Sequence, residues 1–212
     1  MGTRDQILDA AAHVMRTSGF ARATTKEIAR AAGFSEATLY KHFEDKTELF
    51  LAVLHERLPS FQPFADQLTA EPGTGGLRDR LAAVASTAIA FYTASFPMSA
   101  SVFSEPRLLA AHRDGALRRG AGPHRPGQAL ARFLRAEQER GLIRPGADCD
   151  AAAALLLGAC LQHAFLHSFA QQSATAADVD AYAAAIADTL VAGLSPGAGS
   201  GTRQPAAGTG PG

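Results

Sequence analysis

The chain has 212 residues, enough for a small head joined to one larger domain. Lys plus Arg equals Asp plus Glu at 20 each, so no global positive field draws the molecule to nucleic acid, and any such contact must rest on local grouping of charge. Apolar residues make up 47% of the chain, mostly Ala and Leu, with no Trp; that balance favours an all-α fold over a sheet.

Residues 3–18 predict an amphipathic first helix. Thr3 and Gln6 suit a capping box, Ile7, Ala11, Val14 and Met15 form an inward stripe, and Gly19 stops the helix. Its acidic residues argue against a signal peptide. Phe20, just past the stop, is expected to pack with Ile28, Leu39 and Phe43. Residues 25–32 form a short second helix, opened by Thr24 with Glu27, in which Ile28 faces inward while Lys26 and Arg30 stay wet. After a tight turn at Gly33, Ser35 caps a third helix. Asp45 with Glu48 then opens a fourth, which turns Leu49, Phe50, Val53 and Leu54 inward and is ended or kinked by Pro59 and Pro63. Two short helices across a glycine turn make a helix-turn-helix, whose second member is built to enter a major groove. Arg4, Arg22, Lys26, Arg30, Lys41 and Lys46 give this part a local positive patch.

Residues 71–76 read as a loop and 77–96 as a long helix with Leu81, Val84, Ala88, Ile89 and Phe91 in its apolar sector. Pro97 is expected to break it, and residues 98–121 to form one or two helices interrupted near Pro106. A second loop covers 120–127. A helix over 128–140 buries Leu130, Phe133 and Leu134, and Gly141 ends it. The most apolar helix, 148–170, starts at Asp148 or Asp150; Thr175 with Asp178 opens the last one, which runs to about 194. These two helices, apolar over much of their surface, suggest burial against a second subunit. The longest apolar run, 151–161, falls well short of the roughly twenty residues that span a bilayer. Two cysteines, Cys149 and Cys160, make no disulfide framework. Together these features predict a soluble cytoplasmic protein with no membrane partner. The Gly, Pro and Ala content of 195–212 reads as a disordered tail, so the expected division is a head over 1–58, a second domain over 59–194 and that tail.

The stretch Thr38, Leu39, Tyr40, His42, Phe43, followed by Lys46 and Leu49, resembles the signature of the TetR family of one-component transcriptional regulators. The resemblance is close over 4–54 and only architectural beyond. It implies a homodimeric regulator, most simply a repressor, on a near-palindromic double-stranded operator. The last two helices, about 148–170 and 175–194, would form a four-helix bundle across the dimer axis. A small-molecule effector would act through the fourth helix, which links head and ligand domain. The resemblance also assigns phosphate contacts to Tyr40, His42 and Lys46. The helix-turn-helix geometry itself puts Ser35, Glu36, Ala37 and Thr38 near base edges, with Thr25 and Lys26 flanking the groove. Lys41 is suited to guanine O6 and N7 or to a phosphate.

In the second domain an aromatic and sulfur-rich set, Phe61, Phe64, Phe91, Tyr92, Phe96, Met98, Phe103, Phe133 and Phe165, reads either as plain core or as the lining of an apolar effector pocket. Tyr92, His112, Gln162, His163 and His167 are the polar groups suited to orient a ligand there. Cys160, His163 and His167 point within roughly 60° of one another around their helix, a conceivable metal-sensing set, although one helix turn seldom closes a site. No metal or cofactor is expected. Nucleophile-elbow, phosphate-loop, dinucleotide-binding and metalloprotease signatures are absent, so an enzyme is not indicated. A helical interaction protein with a head that no longer binds DNA is the remaining alternative.

Overall fold

The computed structural model describes residues 2–58, 61–69, 76–172 and 174–196. Among them are ten helices and no strand, which bears out the all-α expectation. The head holds α1 (Thr3–Arg22), α2 (Thr25–Ala31), α3 (Glu36–Leu39) and α4 (Lys46–Glu56). Then come α5 (Gln62–Thr69), α6 (Leu77–Ser104), α7 (Pro106–Arg118), α8 (Arg125–Glu139), α9 (Cys149–Ala170) and α10 (Ala176–Leu194).

Local chemistry accounts for most boundaries. The Thr24 side chain accepts from the Glu27 amide, Ser35 from Thr38, and Asp45 from Glu48, so each short head helix begins on an oxygen-bearing cap worth about 1 kcal/mol. The Thr175–Asp178 box opens α10, and Asp148 takes two amides at the start of α9. At α1 the cap is Gly2 rather than Thr3: the Asp5 carboxylate accepts from the Gly2 amide at 3.4 Å, and Thr3 is already helical. Gly19, at φ +74°, interrupts α1 as expected, and one more turn follows it.

The prolines divide. Pro106 starts α7, where its missing amide costs nothing. Pro63 lies in the first turn of α5, and α4 has ended at Glu56 before either proline, so neither stops it. Pro97 does not break α6. The helix runs through it; Pro97 and Thr93, the residue whose carbonyl loses its helical partner, are both exposed, where solvent can take the place of the missing bond. The 71–75 loop and the tail beyond 196 lie outside the described residues.

Two cores result. One joins Ile7, Leu8, Ala11 and Met15 of α1 to Ile28, Leu39, Phe43, Leu49, Phe50 and Val53. The other gathers Leu81, Val84, Ala88 and Ile89 of α6 with Leu130, Leu134, Leu156, Cys160, Ala183 and Ala187. The long α6 serves both: beyond Pro97 its Met98 and Val102, with Leu108 of α7, pack into the head core rather than lining a pocket. Both α6 and α9 are long and apolar enough by composition to cross a membrane. Counting one uninterrupted run missed this for α9, since Gln162 and His163 end the run without breaking the helix. Each of the two contributes a face to the second core.

Candidate nucleic-acid interface

The head is a braced platform. Arg4 grips both oxygens of Glu56 at 2.6 and 2.8 Å, and Arg57 reaches Asp5 and Asp9 at 3.0 and 2.6 Å, which clasps α1 to α4. Against this frame α3 is a single turn, shorter than a typical recognition helix. Ser35 fixes its start, with its hydroxyl 2.9 Å from that of Thr38. Thr25 on α2 donates to Glu36 at 2.5 Å and lies 3.3 Å from the Tyr40 hydroxyl. Glu36 is therefore turned back onto α2 and half-buried, with less reach toward a base than a free carboxylate. Thr25 braces α2 to α3 across the turn.

Around this brace the exposed groups are Lys26, Ser35, Ala37, Lys41, His42 and Tyr40, the last 49% accessible. Such a set, with a phenol, an imidazole, a hydroxyl and two ammonium groups, can donate hydrogen bonds to phosphate oxygens, and the methyl of Ala37 leaves room for a base edge. Lys26 and Arg30 share one face of α2, four residues apart. The expected positive patch is narrower than the sequence suggested. Arg4 is neutralised by Glu56, and Lys46 is engaged: its ammonium donates to the Phe20 carbonyl and sits 4.2 Å from the centre of the Phe20 ring. Burial pushes the Lys46 pKa down. Lys46 thus ties the turn after Gly19 to α4. Phe20 rests edge-on against Phe50 at 4.7 Å.

The aromatic set divides into separate groups. Phe61 lies 4.0 Å from Phe91, 5.1 Å from Phe64 and 6.0 Å from Tyr92, a closed cluster between α5 and α6. Burial raises the Tyr92 pKa. Phe133 is buried beneath the Arg80 guanidinium at 4.4 Å. Phe96 instead meets Phe165 at 5.7 Å on the outer side of α9, and Phe103 is 74% exposed. Gln162 is exposed, while His112 faces α4, so neither joins the Phe61 cluster. A polar cleft of about 450 Å3 that the sequence did not suggest lies between α5, α6 and α10, where Gln67, Arg78, Ser86 and Asp180 stand over alanines. Its residues are scattered over 67–184 with no local pattern, so no sequence signal announced it.

Cys160, His163 and His167 do not converge on one point. The Cys160 thiol is fully buried, donates to the Ala85 carbonyl at 3.6 Å and is pushed up to about 12 by burial. His163 turns to α10 instead, 4.4 Å from the Tyr182 ring and 4.3 Å from that of His167. Among the described residues no three His, Cys, Asp or Glu side chains are grouped to hold a metal ion.

Comparison with known proteins gives two family matches. Residues 7–53 match the model for bacterial regulatory proteins of the tetR family, and residues 102–193 that for the C-terminal domain of AefR-like transcriptional repressors. The nucleoid occlusion factor SlmA of Photorhabdus laumondii is 48% identical over 48 residues, 22% of this chain and 24% of that protein. This chain spans only 24% to 41% of the length of curated relatives of this kind. Among solved structures, a putative TetR-family transcriptional regulator from Mesorhizobium loti superposes with a TM-score of 0.68 over 92% of this chain and 97% of that one, at 22% identity. The Bacillus subtilis regulator FadR in complex with stearoyl-CoA gives a TM-score of 0.65 at 20% identity, covering 90% and 98% of the two chains. At these identities the superpositions speak for the fold alone.

Proposed function

The chain belongs to the TetR family of bacterial regulatory proteins, and from that premise we propose that it is a cytoplasmic, ligand-responsive repressor that binds a near-palindromic operator as a homodimer. One observation carries the reading: a rigid head on which Thr25 locks α2 to α3 while Lys26, Ser35, Ala37, Tyr40, Lys41 and His42 stay open to solvent. In this reading Tyr40, Lys41, His42 and Lys26 hold phosphates, Ser35, Ala37 and Thr38 lie at base edges, and Thr25 and Glu36 position them. Lys46 fixes α4 to the turn after Gly19 through one of its three ammonium donors, and the others can serve a phosphate.

Dimerisation is assigned to α9 and α10. On α9, Leu155, Leu161, Phe165, Leu166 and Phe169 are all more than 40% exposed, an apolar stripe that a second copy would cover. The outer face of α10 is small, with Ala181, Ala185 and Ala192, which permits close helix approach. The effector in this reading is an apolar molecule that enters by parting Phe61 from Phe91 and Tyr92, a choice consistent with the acyl ligand of the Bacillus subtilis FadR structure. It acts by binding one head spacing better than the other; a difference of a few kcal/mol suffices.

The test is a mobility-shift titration on DNA flanking the coding region, followed by selection from random duplexes, at two salt concentrations. A competitor-resistant shift is expected, with Tyr40→Phe weakening all sequences alike and Lys26→Ala lowering the log–log salt slope by about one. Failure of the selected pool to yield a specific complex would leave only the interaction-protein reading.

A further inference from the structure

Head and larger domain touch at a second place besides the shared α6 core. His55, in the last turn of α4, faces His112 of α7 and Arg119 just past its end. The Arg119 guanidinium meets His55 Nε2 at 2.6 Å, and the two imidazoles stack with centroids 6.0 Å apart and planes 20° from parallel. His112 Nδ1 is buried without a hydrogen-bond partner. A guanidinium has only donors and keeps its proton at any physiological pH. Its bond to His55 therefore requires a bare Nε2. Protonation of that atom turns an acceptor into a second donor and sets two cations against each other.

We propose that His55, His112 and Arg119 form an acid-sensitive latch between the head and the effector domain, in which proton uptake by the imidazoles expels Arg119, frees α4 from α7 and lowers operator affinity. The proton is thus an effector in its own right, bound at the joint that α4 makes with the second domain.

Among the charges around the latch, Arg119 and His112 disfavour protonation of His55 and Glu56 favours it. From α7 the groups facing His55 are His112 and Arg119; on α4 itself the neighbour is Glu56, whose carboxylate is already held by Arg4. Arg119 is also the charged group that acts on His112. Burial pushes both imidazoles below the ordinary histidine value of 6.5, and Arg119 adds to it. The opened joint consequently binds more protons than the closed one. Closure is complete above about pH 6.5 and weakens as the pH falls toward the depressed values of the closed form. The ceiling is about tenfold per pH unit for each proton taken up. Because His55 and Arg119 are both exposed, solvent screening reduces this to roughly threefold to tenfold in total between pH 7.5 and 5.5.

The link to operator affinity rests on the DNA-binding reading above, so the test separates the two. Hydrogen-exchange protection of the free full-length protein is measured at pH 7.5 and 5.5, beside operator affinity, for the wild type and for the His55→Gln/His112→Gln double variant. Gln keeps an acceptor for Arg119 but cannot take up a proton. The expected result is a loss of protection in 53–58 and 106–119 at pH 5.5 in the wild type alone, with affinity falling at least threefold further than in the variant. Equal protection profiles in both proteins would overturn the latch. Loss of protection with an unchanged affinity difference would overturn its control of the operator. Loss of protection without operator binding at any pH would leave the latch standing and remove the DNA-binding reading. Should the double variant already be open at pH 7.5, ring-proton titrations of His55 and His112 in the wild type decide, and midpoints at the ordinary histidine value would refute the idea.

Discussion

Replacing Met98 with Ala tests whether the end of α6 belongs energetically to the head. Met98 is 1% exposed and packs among head residues, one position beyond Pro97. Truncating a buried Met to Ala removes its transfer free energy and leaves a cavity, a loss of about 2–5 kcal/mol. Taking about 3 kcal/mol, and roughly 2–4 °C per kcal/mol for a chain of this length, the melting temperature falls by about 6–12 °C. More telling is where protection is lost. The cavity opens against the head core, so exchange should accelerate first in α1 and α4, with α8, α9 and α10 following only through global unfolding. Leu130→Ala, buried in the other core, is the control and should show the opposite order. If Met98→Ala left α1 and α4 protected while α8 to α10 exchanged early, the assignment of the α6 end to the head would be wrong. Calorimetry with segment-resolved hydrogen exchange on both variants supplies the comparison.

Three further outcomes follow from particular contacts. Glu137 is 3% exposed between Arg80 at 3.2 Å and Arg140 at 2.8 Å, so Glu137→Ala removes a buried acceptor that two guanidiniums share and should cost about 1.5–3 kcal/mol in urea unfolding; a loss below about 0.5 kcal/mol would show that these bonds add nothing to stability. The Arg4 guanidinium holds Glu56 below the ordinary glutamate value of 4.5, and Arg57 does likewise for Asp5. Depressed carboxyls stabilise the fold fully above their unfolded pKa, so the α1–α4 clasp should fade as the pH falls below about 4.5. Thermal melts of Arg4→Ala should show less of this acid dependence than the wild type; parallel curves would discount the clasp. Cys160, buried and pushed up to about 12, should resist alkylation at pH 8 until the protein unfolds, and prompt labelling of a Cys160-only variant (Cys149→Ser) would contradict its place in the core.

Much of the molecule was legible in the chain because the signals are local. The caps at Thr24, Ser35, Asp45 and Thr175 are short-range competitions between a side-chain oxygen and the backbone, readable three residues at a time. The inward stripes of α1, α4 and α8 follow from the 3.6-residue period alone. Tyr40, Lys41 and His42 were recognisable because they sit together on one turn, and all three lie on the surface.

Where one residue's role depends on something distant, the chain alone was not enough. Pro97 read as a break, but its cost depends on whether the orphaned Thr93 carbonyl meets water, which neighbouring helices decide. Lys46 read as a phosphate ligand, and only the fold shows that Phe20, far back in the sequence, offers a carbonyl and a ring to the same ammonium. The aromatics of the second domain shared a helical period but not a common face, so they split into a closed cluster, a buried Phe133 and an outer seam. His55, His112 and Arg119, spread along 55–119, became neighbours only through the docking of α7 on α4. The sequence by itself determined most of the helices, most of their caps and the helix-turn-helix of the head, since those rest on interactions within a turn or two. Tertiary structure alone decided which helix end belongs to which core and which charges are already spent, because burial and pairing depend on partners that no local pattern names.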